Sequence, residues 1–164
     1  MRPPAKEPPE PPAAVAHGPA ETERAGRDLA RRLRPGDVVL VRGEVGAGKS
    51  TLIRAALREL GVAGAIPSPT FTVGRAYEGV PAGRGRPVPV SHLDLYRLGP
   101  LEDEDPGLLA EYFGPDRIAL VEWPGGAERF LAGRATRLLE VEVRHRDERS
   151  RVIEPAVELA APGG

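Results

Sequence analysis

Apolar and polar residues recur along the chain with periods that predict both strands and helices. The apolar run 38–41 is typical of a buried strand, and residues 50–60, after the glycine-rich segment that follows this run, have helical spacing. A second strong strand is predicted over 118–121, and an amphipathic helix over 20–33 precedes the first strand. Strands and helices that alternate in this way predict an α/β fold.

Weaker patterns complete the predicted sheet. Residues 71–77 and 88–96 have strand character, and a tip rich in Gly, Pro and Arg joins them as a hairpin. One or two short helices are expected within 101–113. In the last third, 139–144 alternates between apolar and charged residues and 152–159 is a second extended run, which predicts an antiparallel pair at the sheet edge. We therefore expect a central mixed sheet flanked by helices, with antiparallel edge strands.

Length and composition favour a single domain. The chain has 164 residues, of which 40% are hydrophobic, and this is enough to build one core. Residues 1–16 are dominated by proline and predict a disordered tail, because such a composition favours extended, solvated chain. The folded domain is then expected over 17–160, with a short tail at 161–164.

Charge and cysteine content limit the classes of function. Lys+Arg 23 against Asp+Glu 24 gives a formal charge of -1, so the global basic surface typical of proteins on naked nucleic acid is not indicated. Cys 0 excludes disulfides, thiolate zinc sites and cysteine nucleophiles. No apolar stretch approaches the roughly 20 residues of a membrane span, and a signal-peptide region is not found. A soluble, cytoplasmic protein without a membrane partner is expected.

Gly43–Ser50 fits the phosphate-binding P-loop pattern and lies between a predicted strand and a predicted helix. Its glycines let backbone amides approach a polyphosphate, and the following helix adds its N-terminal N–H groups. Lys49 would reach the β- and γ-phosphates, and the Ser50 hydroxyl would bind Mg²⁺. The alternative is a tight turn without a ligand. The residues predicted to contact the nucleotide here are Glu44, Val45, Gly46, Ala47, Gly48, Lys49, Ser50 and Thr51.

Candidate catalytic residues lie further along the chain. Asp94 follows an apolar strand, where a Mg²⁺-associated carboxylate belongs in a P-loop protein, although an Asp there could also cap a turn. Glu122 and Trp123 end another strand, and ligands of open α/β sheets bind at such strand ends. Thr70, in the proline-rich loop 66–73, is a candidate sensor of the γ-phosphate and Mg²⁺, or else a residue that packs a turn.

Four motifs in this order resemble the TsaE (YjeE-type) family of bacterial ATPases over residues 22–124: Gly43–Ser50, Ser68–Phe71, His92–Arg97 and Glu122–Pro124. The resemblance implies a small P-loop ATPase, with ATP and Mg²⁺ as cofactors, that supports formation of threonylcarbamoyladenosine beside the tRNA anticodon. It also implies a heterodimer of a TsaD-type transferase and its TsaB-type paralogue as partner, with tRNA reached only through that complex.

The resemblance assigns roles position by position. Lys49 and Ser50 keep the phosphate and Mg²⁺ roles. Glu122 matches the family's acidic residue associated with Mg²⁺ and hydrolysis, and Asp94 matches its second essential carboxylate. One carboxylate would hold the metal or its water and the other would orient the attacking water, but which does which is left open.

Two further positions follow from the same resemblance. Thr70 falls in the family's switch-like loop, and Trp123 in the segment next to the nucleotide and the partner surface. Gly125 and Gly126 depart from the pattern, because the family often has an acidic residue after the Trp-Pro or Trp-Ser pair.

Other classes of nucleotide-binding protein fit the sequence less well. Guanine recognition normally uses an Asn-Lys-x-Asp motif, and the chain contains no Asn, so ATP is favoured over GTP. A small-molecule kinase shares the strand, loop and helix, but an arginine-rich lid segment is not apparent. A nucleotide-gated binding module, in which ATP only orders the Thr70 loop, is the third possibility.

Overall fold

The computed structural model describes residues 12–69 and 72–159. Within them, the structure contains eight strands, four α-helices and one 3₁₀ turn. In chain order these are β1 (Ala14–Ala16), α1 (Pro19–Ala30), β2 (Asp37–Arg42), α2 (Lys49–Glu59), β3 (Gly74–Gly79), β4 (Val88–Asp94), the 3₁₀ turn Leu101–Asp103, α3 (Pro106–Ala110), β5 (Ile118–Glu122), α4 (Glu128–Ala132), β6 (Arg137–His145), β7 (Arg151–Ile153) and β8 (Val157–Glu158).

The strands form one mixed sheet in the order β1-β7-β6-β2-β5-β4-β3, with β8 also paired to β6. The four central strands, β6, β2, β5 and β4, are parallel. The flanking strands β3, β7, β1 and β8 are antiparallel to their neighbours. The prediction of a mixed central sheet with antiparallel edges is therefore confirmed.

Burial on both faces explains why the central strands are so apolar. All five residues of β5 are buried, and so are the first five residues of β2. Helices α1 and α2 cover one face, where Leu52 and Ile53 of α2 pack with the β2 residues Val39 and Val41. On the other face, α3 and α4 contribute Leu109 and Leu131 to a second core. Parallel strands covered in this way need apolar side chains at successive positions.

The N-terminal boundary predicted at residue 16 is wrong. Ala14–Ala16 form β1, which pairs antiparallel with β7, and Ala16 is only 2% exposed. The last of the clustered prolines in this region is Pro12, so the backbone N–H groups of the next residues are available for a sheet ladder. Residues 1–11 and 160–164 lie outside the described residues, and the tails predicted there stay predictions.

The extended run predicted over 152–159 is divided by Pro155. Its first part, β7, pairs with the end of β6, and its second part, β8, pairs with Leu139 and Glu140 in the middle of β6. β6 itself lies inside the sheet, parallel to β2, so the outer strand on this side is β1. The predicted antiparallel pair exists, but it is not the edge.

The parallel register brings three strand ends to one edge of the sheet. Val41 of β2 lies opposite Glu122 of β5, and Asp94 of β4 lies opposite the same glutamate. The loop that follows β2 therefore starts beside both carboxylates. Across 12–69 and 72–159, every helix is too short or too polar to span a lipid bilayer.

Candidate functional site

The loop between β2 and α2 has the backbone that its glycines permit. Gly43, Gly46 and Gly48 have φ angles of 149°, 73° and 104°, in the region that favours glycine. A Cβ on Gly43 would lie 2.4 Å from the carbonyl oxygen of Val143, so this position also requires the close approach of β6. Gly48 is the N-cap of α2. The amino end of that helix therefore opens at the loop, where its free N–H groups favour an anion.

A cavity of about 500 Å³ lies over this loop at the sheet edge. It brings together residues from segments far apart in the sequence. Its lining consists of Val45, Gly46, Gly48, Lys49, Ser50, Thr51, Ser68, Asp94, Tyr96, Arg97, Glu122 and Trp123. Two residues predicted to contact nucleotide do not line it: the Ala47 side chain is fully buried beneath the loop, and Glu44 is exposed. Thr70 lies outside the described residues.

Lys49 lies back against its own loop. Its Nζ donates to the carbonyl oxygens of Gly43 at 2.6 Å and Glu44 at 2.7 Å, and lies 4.0 Å from the centre of the Trp123 ring. Burial lowers the pKa of Lys49 from its usual value, while the charges of Glu122, Asp94 and Glu44 oppose that shift. The ammonium group is thus held at the cavity wall by backbone carbonyls and an aromatic face.

Glu122 connects three elements at the floor of the cavity. The residue is only 3% exposed. Its Oε1 accepts a hydrogen bond from Ser50 Oγ of α2 at 3.3 Å, and its Oε2 lies 2.8 Å from Nε2 of His92 of β4. A buried carboxylate needs such partners to offset its loss of hydration. Sequence reasoning placed His92 in a motif without a role, although its position two residues before Asp94 puts both on one face of β4.

Asp94 caps a turn and also lines the cavity, and its predicted association with Mg²⁺ stays a prediction. It lines the cavity from the end of β4 and is half-buried. Its Oδ1 also accepts a hydrogen bond from the backbone N–H of Tyr96 at 3.0 Å, which closes a local turn. One carboxylate oxygen therefore orders the turn, and the group as a whole faces the site.

Trp123 has an unusual backbone. Its φ of 51° is the only positive φ of a non-glycine residue within the described part of the chain. The ring meets Tyr96 edge to face, with centroids 5.1 Å apart, and faces Lys49 on the loop. Downstream, Arg42 donates to the Gly125 carbonyl oxygen at 3.2 Å and to Glu128, which ties this segment to the end of β2. Tyr96 was not predicted as a site residue, because only the fold brings its ring to Trp123.

The donor atoms present fit magnesium held together with a phosphate ligand. Over residues 12–69 and 72–159, no group of three or more His, Asp and Glu side chains is arranged to hold a metal by itself. Mg²⁺ in phosphate-binding sites keeps several waters and uses one or two carboxylates plus phosphate oxygens. The adjacent Ser50 hydroxyl and Glu122 carboxylate provide such a partial set of ligands.

Parallel strands, glycine loop and helix amino end together define the class of the protein: it has the P-loop NTPase fold. The family described as Threonylcarbamoyl adenosine biosynthesis protein TsaE matches residues 16–153. The chain belongs to this TsaE family.

Individual relatives agree with this family. A tRNA threonylcarbamoyladenosine biosynthesis protein TsaE of Streptomyces coelicolor is 43% identical over 101 residues, which cover 62% of this chain and 66% of the relative. The Mycobacterium tuberculosis protein of the same name is 34% identical over 136 residues, or 79% of this chain and 78% of the relative. The chain thus spans slightly less than two thirds of the Streptomyces protein.

A solved structure is similar as well. The crystal structure of Bacillus subtilis YdiB superposes with a TM-score of 0.64 and 26% sequence identity, covering 88% of this chain and 84% of that chain. The likeness therefore extends over nearly the whole domain.

Proposed function

We propose that this protein is a Mg²⁺-dependent ATPase that assists a threonylcarbamoyl transferase complex in forming threonylcarbamoyladenosine next to the tRNA anticodon. The relatives' names support the pathway, since they are tRNA threonylcarbamoyladenosine biosynthesis proteins. The proposed partner is the heterodimer of a TsaD-type transferase and its TsaB-type paralogue, through which the protein reaches tRNA. The proposed setting is the cytoplasm.

The observation that carries the hydrolytic part of the proposal is the contact between Ser50 and Glu122. A site that only binds nucleotide needs the loop and its lysine, but not a buried carboxylate 3.3 Å from the P-loop hydroxyl. Because carboxylates beside a bound metal support in-line attack on a phosphoryl group, the pair favours hydrolysis over simple binding.

The position of each residue at the cavity suits it to a different role in binding or hydrolysis of ATP. The loop amides and the amino end of α2 would bind the phosphates, and Lys49 would leave its carbonyl partners to neutralise their charge. Ser50 and Glu122 would hold Mg²⁺, which supplies Lewis-acid stabilisation of the phosphate oxygens when bound. Asp94, at the end of the neighbouring strand, would orient the attacking water, and Trp123 would flank the nucleotide.

Phosphate release from ATP, measured with the purified transferase pair present, tests this assignment. Glu122→Gln keeps the size of the side chain but removes its charge, and we expect at least an approximately 100-fold loss of rate, as for removal of a key charge-stabilising group. Lys49→Ala should abolish release together with nucleotide binding. Glu23→Gln is a matched control, because Glu23 is exposed on α1 and does not line the cavity.

Retention of the transferase pair on the immobilised protein, with and without ATP, tests the pathway. Failure to retain either partner under all nucleotide conditions would overturn the proposed role in tRNA modification. If Glu122→Gln hydrolysed ATP normally, the proposed mechanism would be wrong, and label transferred from [γ-³²P]ATP to an added metabolite would establish a kinase instead.

A further inference from the structure

His92 and Glu122 form a buried pair beneath the cavity. His92 is 4% exposed and Glu122 is 3% exposed, and 2.8 Å separates Nε2 from Oε2. The two residues stand on neighbouring parallel strands, β4 and β5. His92 does not line the cavity, so it acts on whatever binds there only through the carboxylate.

The surroundings of the imidazole ring indicate where its proton resides. Nδ1 is buried and has no hydrogen-bond partner among the described residues. Nε2 lies 2.8 Å from a carboxylate oxygen, and because that oxygen accepts, a hydrogen bond at this contact needs the proton on Nε2. The ring therefore carries its proton on Nε2, and this N–H donates to Oε2 of Glu122.

This hydrogen bond makes the two carboxylate oxygens unequal. Oε2 is occupied by His92, while Oε1 faces Ser50 Oγ at 3.3 Å. Rotation of the carboxylate group would break the contact with His92, so the orientation of Oε1 is fixed before any ligand arrives. Partners that hydrogen-bond to a ligating carboxylate commonly control its orientation and basicity in this way.

We propose that His92 is a positioning residue, which presents Oε1 of Glu122 to the Mg²⁺ that Ser50 shares. The inference rests on the proposed function, because it needs Glu122 to be a ligand of the metal or of its water. A residue with only a packing role at this position would not have to be polar. The face of β4 around it carries Val88 and Val90, and a leucine there would pack without the unpaired Nδ1, but it would leave Oε2 of Glu122 without its donor.

Two amide variants separate positioning from packing. The Nε2 amide of His92→Gln can reach the place of the imidazole Nε2 and donate to Glu122, whereas His92→Asn carries the same group one methylene shorter. ADP affinity is measured by calorimetry on the full chain, once with Mg²⁺ and once with EDTA. Phosphate release with the transferase pair and thermal melting are recorded for the same proteins.

For His92→Asn we expect the Mg²⁺ concentration for half-maximal phosphate release to rise about 10- to 100-fold, the usual effect of losing such a partner of a metal ligand. Its ADP affinity in EDTA should stay within about threefold of the original protein, because the loop and Lys49 are untouched, and His92→Gln should recover most of the Mg²⁺ response. A purely structural role would instead lower the melting temperature and both ADP affinities together.

The outcomes separate this inference from the proposed function. If Mg²⁺ affects the original protein and Glu122→Gln abolishes hydrolysis, but His92→Asn has an unchanged Mg²⁺ requirement, only the role of His92 is overturned. Equal Mg²⁺ requirements of the Gln and Asn variants, both raised, would also overturn it. If Glu122→Gln has no effect, the proposed function and the inference fail together. Should the Asn variant not fold, a normal Mg²⁺ requirement in His92→Leu would be sufficient to reject the role.

Discussion

Arg137 donates two hydrogen bonds to the carboxylate of Asp37, from Nε to Oδ1 at 2.9 Å and from Nη2 to Oδ2 at 2.7 Å. The two residues face each other across the parallel register of β2 and β6. Asp37 is only 2% exposed, and the hydrogen bond to it raises the pKa of Arg137. This pair fixes the amino end of the strand that carries the phosphate-binding loop at its other end.

Removing Arg137 should therefore lower the free energy of unfolding. Arg137→Met leaves a buried carboxylate without its cation, and we expect the free energy of unfolding to fall by about 3–5 kcal/mol in urea titrations. Arg31→Met removes an arginine that pairs with Glu59 and Asp28 at the exposed surface, and it should leave the urea midpoint almost unchanged. If Arg31→Met lowered the free energy of unfolding as much as Arg137→Met does, burial of Asp37 would not explain the strength of its pair with Arg137.

Gly26 marks the closest approach of α1 and α2. A Cβ at this position would lie 2.2 Å from the backbone carbonyl oxygen of Leu52 and 3.0 Å from Cβ of Ala55. Gly26→Ala should lower the free energy of unfolding by about 1–3 kcal/mol, although alanine is the better helix former, because the helices must separate. Gly133→Ala has only an ordinary contact at 3.7 Å and should change stability by less than about 0.5 kcal/mol. Chemical denaturation of both variants measures the difference.

Asp147 organises the turn between β6 and β7. Hydrogen bonds from the Ser150 hydroxyl and from the N–H groups of Arg149 and Ser150 lower its pKa to about 2. Since the folded-state pKa is below the ordinary value of 3.8, the stabilising effect is complete above that value and disappears as the pH falls towards 2. The stability lost in Asp147→Ala should therefore be constant near neutral pH and vanish near pH 2.

Two measurements check this behaviour. Amide hydrogen exchange at Ser150 reports the turn in the original protein and in Asp147→Ala, and an NMR titration follows the Asp147 carboxyl carbon. A titration midpoint near or above 3.8 would be inconsistent with the hydrogen bonds described.

Trp123 is the single tryptophan of the chain, and its ring lies 4.0 Å from the Lys49 ammonium group. If phosphates draw Lys49 away from the ring, the fluorescence of Trp123 should change as ATP is added, because the charge next to the indole moves. The change should saturate with ATP and be absent in Lys49→Met. If Lys49→Met showed the full fluorescence change with ATP, movement of Lys49 would not be the cause of that change.

The local parts of the site were predictable from sequence, because their chemistry is encoded in short spacings. Gly43–Ser50 has its glycines, lysine and hydroxyl at fixed intervals, and Asp94 and Glu122 end apolar strands. The contacts of His92 and Tyr96 depend instead on the register of β4 against β5 and on the backbone at Trp123. Such tertiary relationships leave no periodic pattern in the chain.

The fold, too, has elements that the local sequence predicts and elements that depend on tertiary contacts. Long, strongly apolar strands and the helix after the loop were identified within a few residues. β1 was not predicted, because its three small or apolar residues follow a proline cluster and do not alternate between apolar and polar. They form a strand only because they pair with β7. The five-residue helix α4 is likewise too short for a helical period to be recognised.

The contact between Ser50 and Glu122 joins residues that are 72 positions apart. Because β2, β5 and β4 must all be in register before their ends meet, no hairpin or helix pair of this chain can assemble the cavity during folding. A ligand of the cavity will therefore bind the complete native state alone, and it will raise the free energy of global unfolding by an amount that grows with the ratio of free ligand concentration to Kd. The affinity of this domain for a ligand can therefore be obtained from the increase in its free energy of unfolding when that ligand is present.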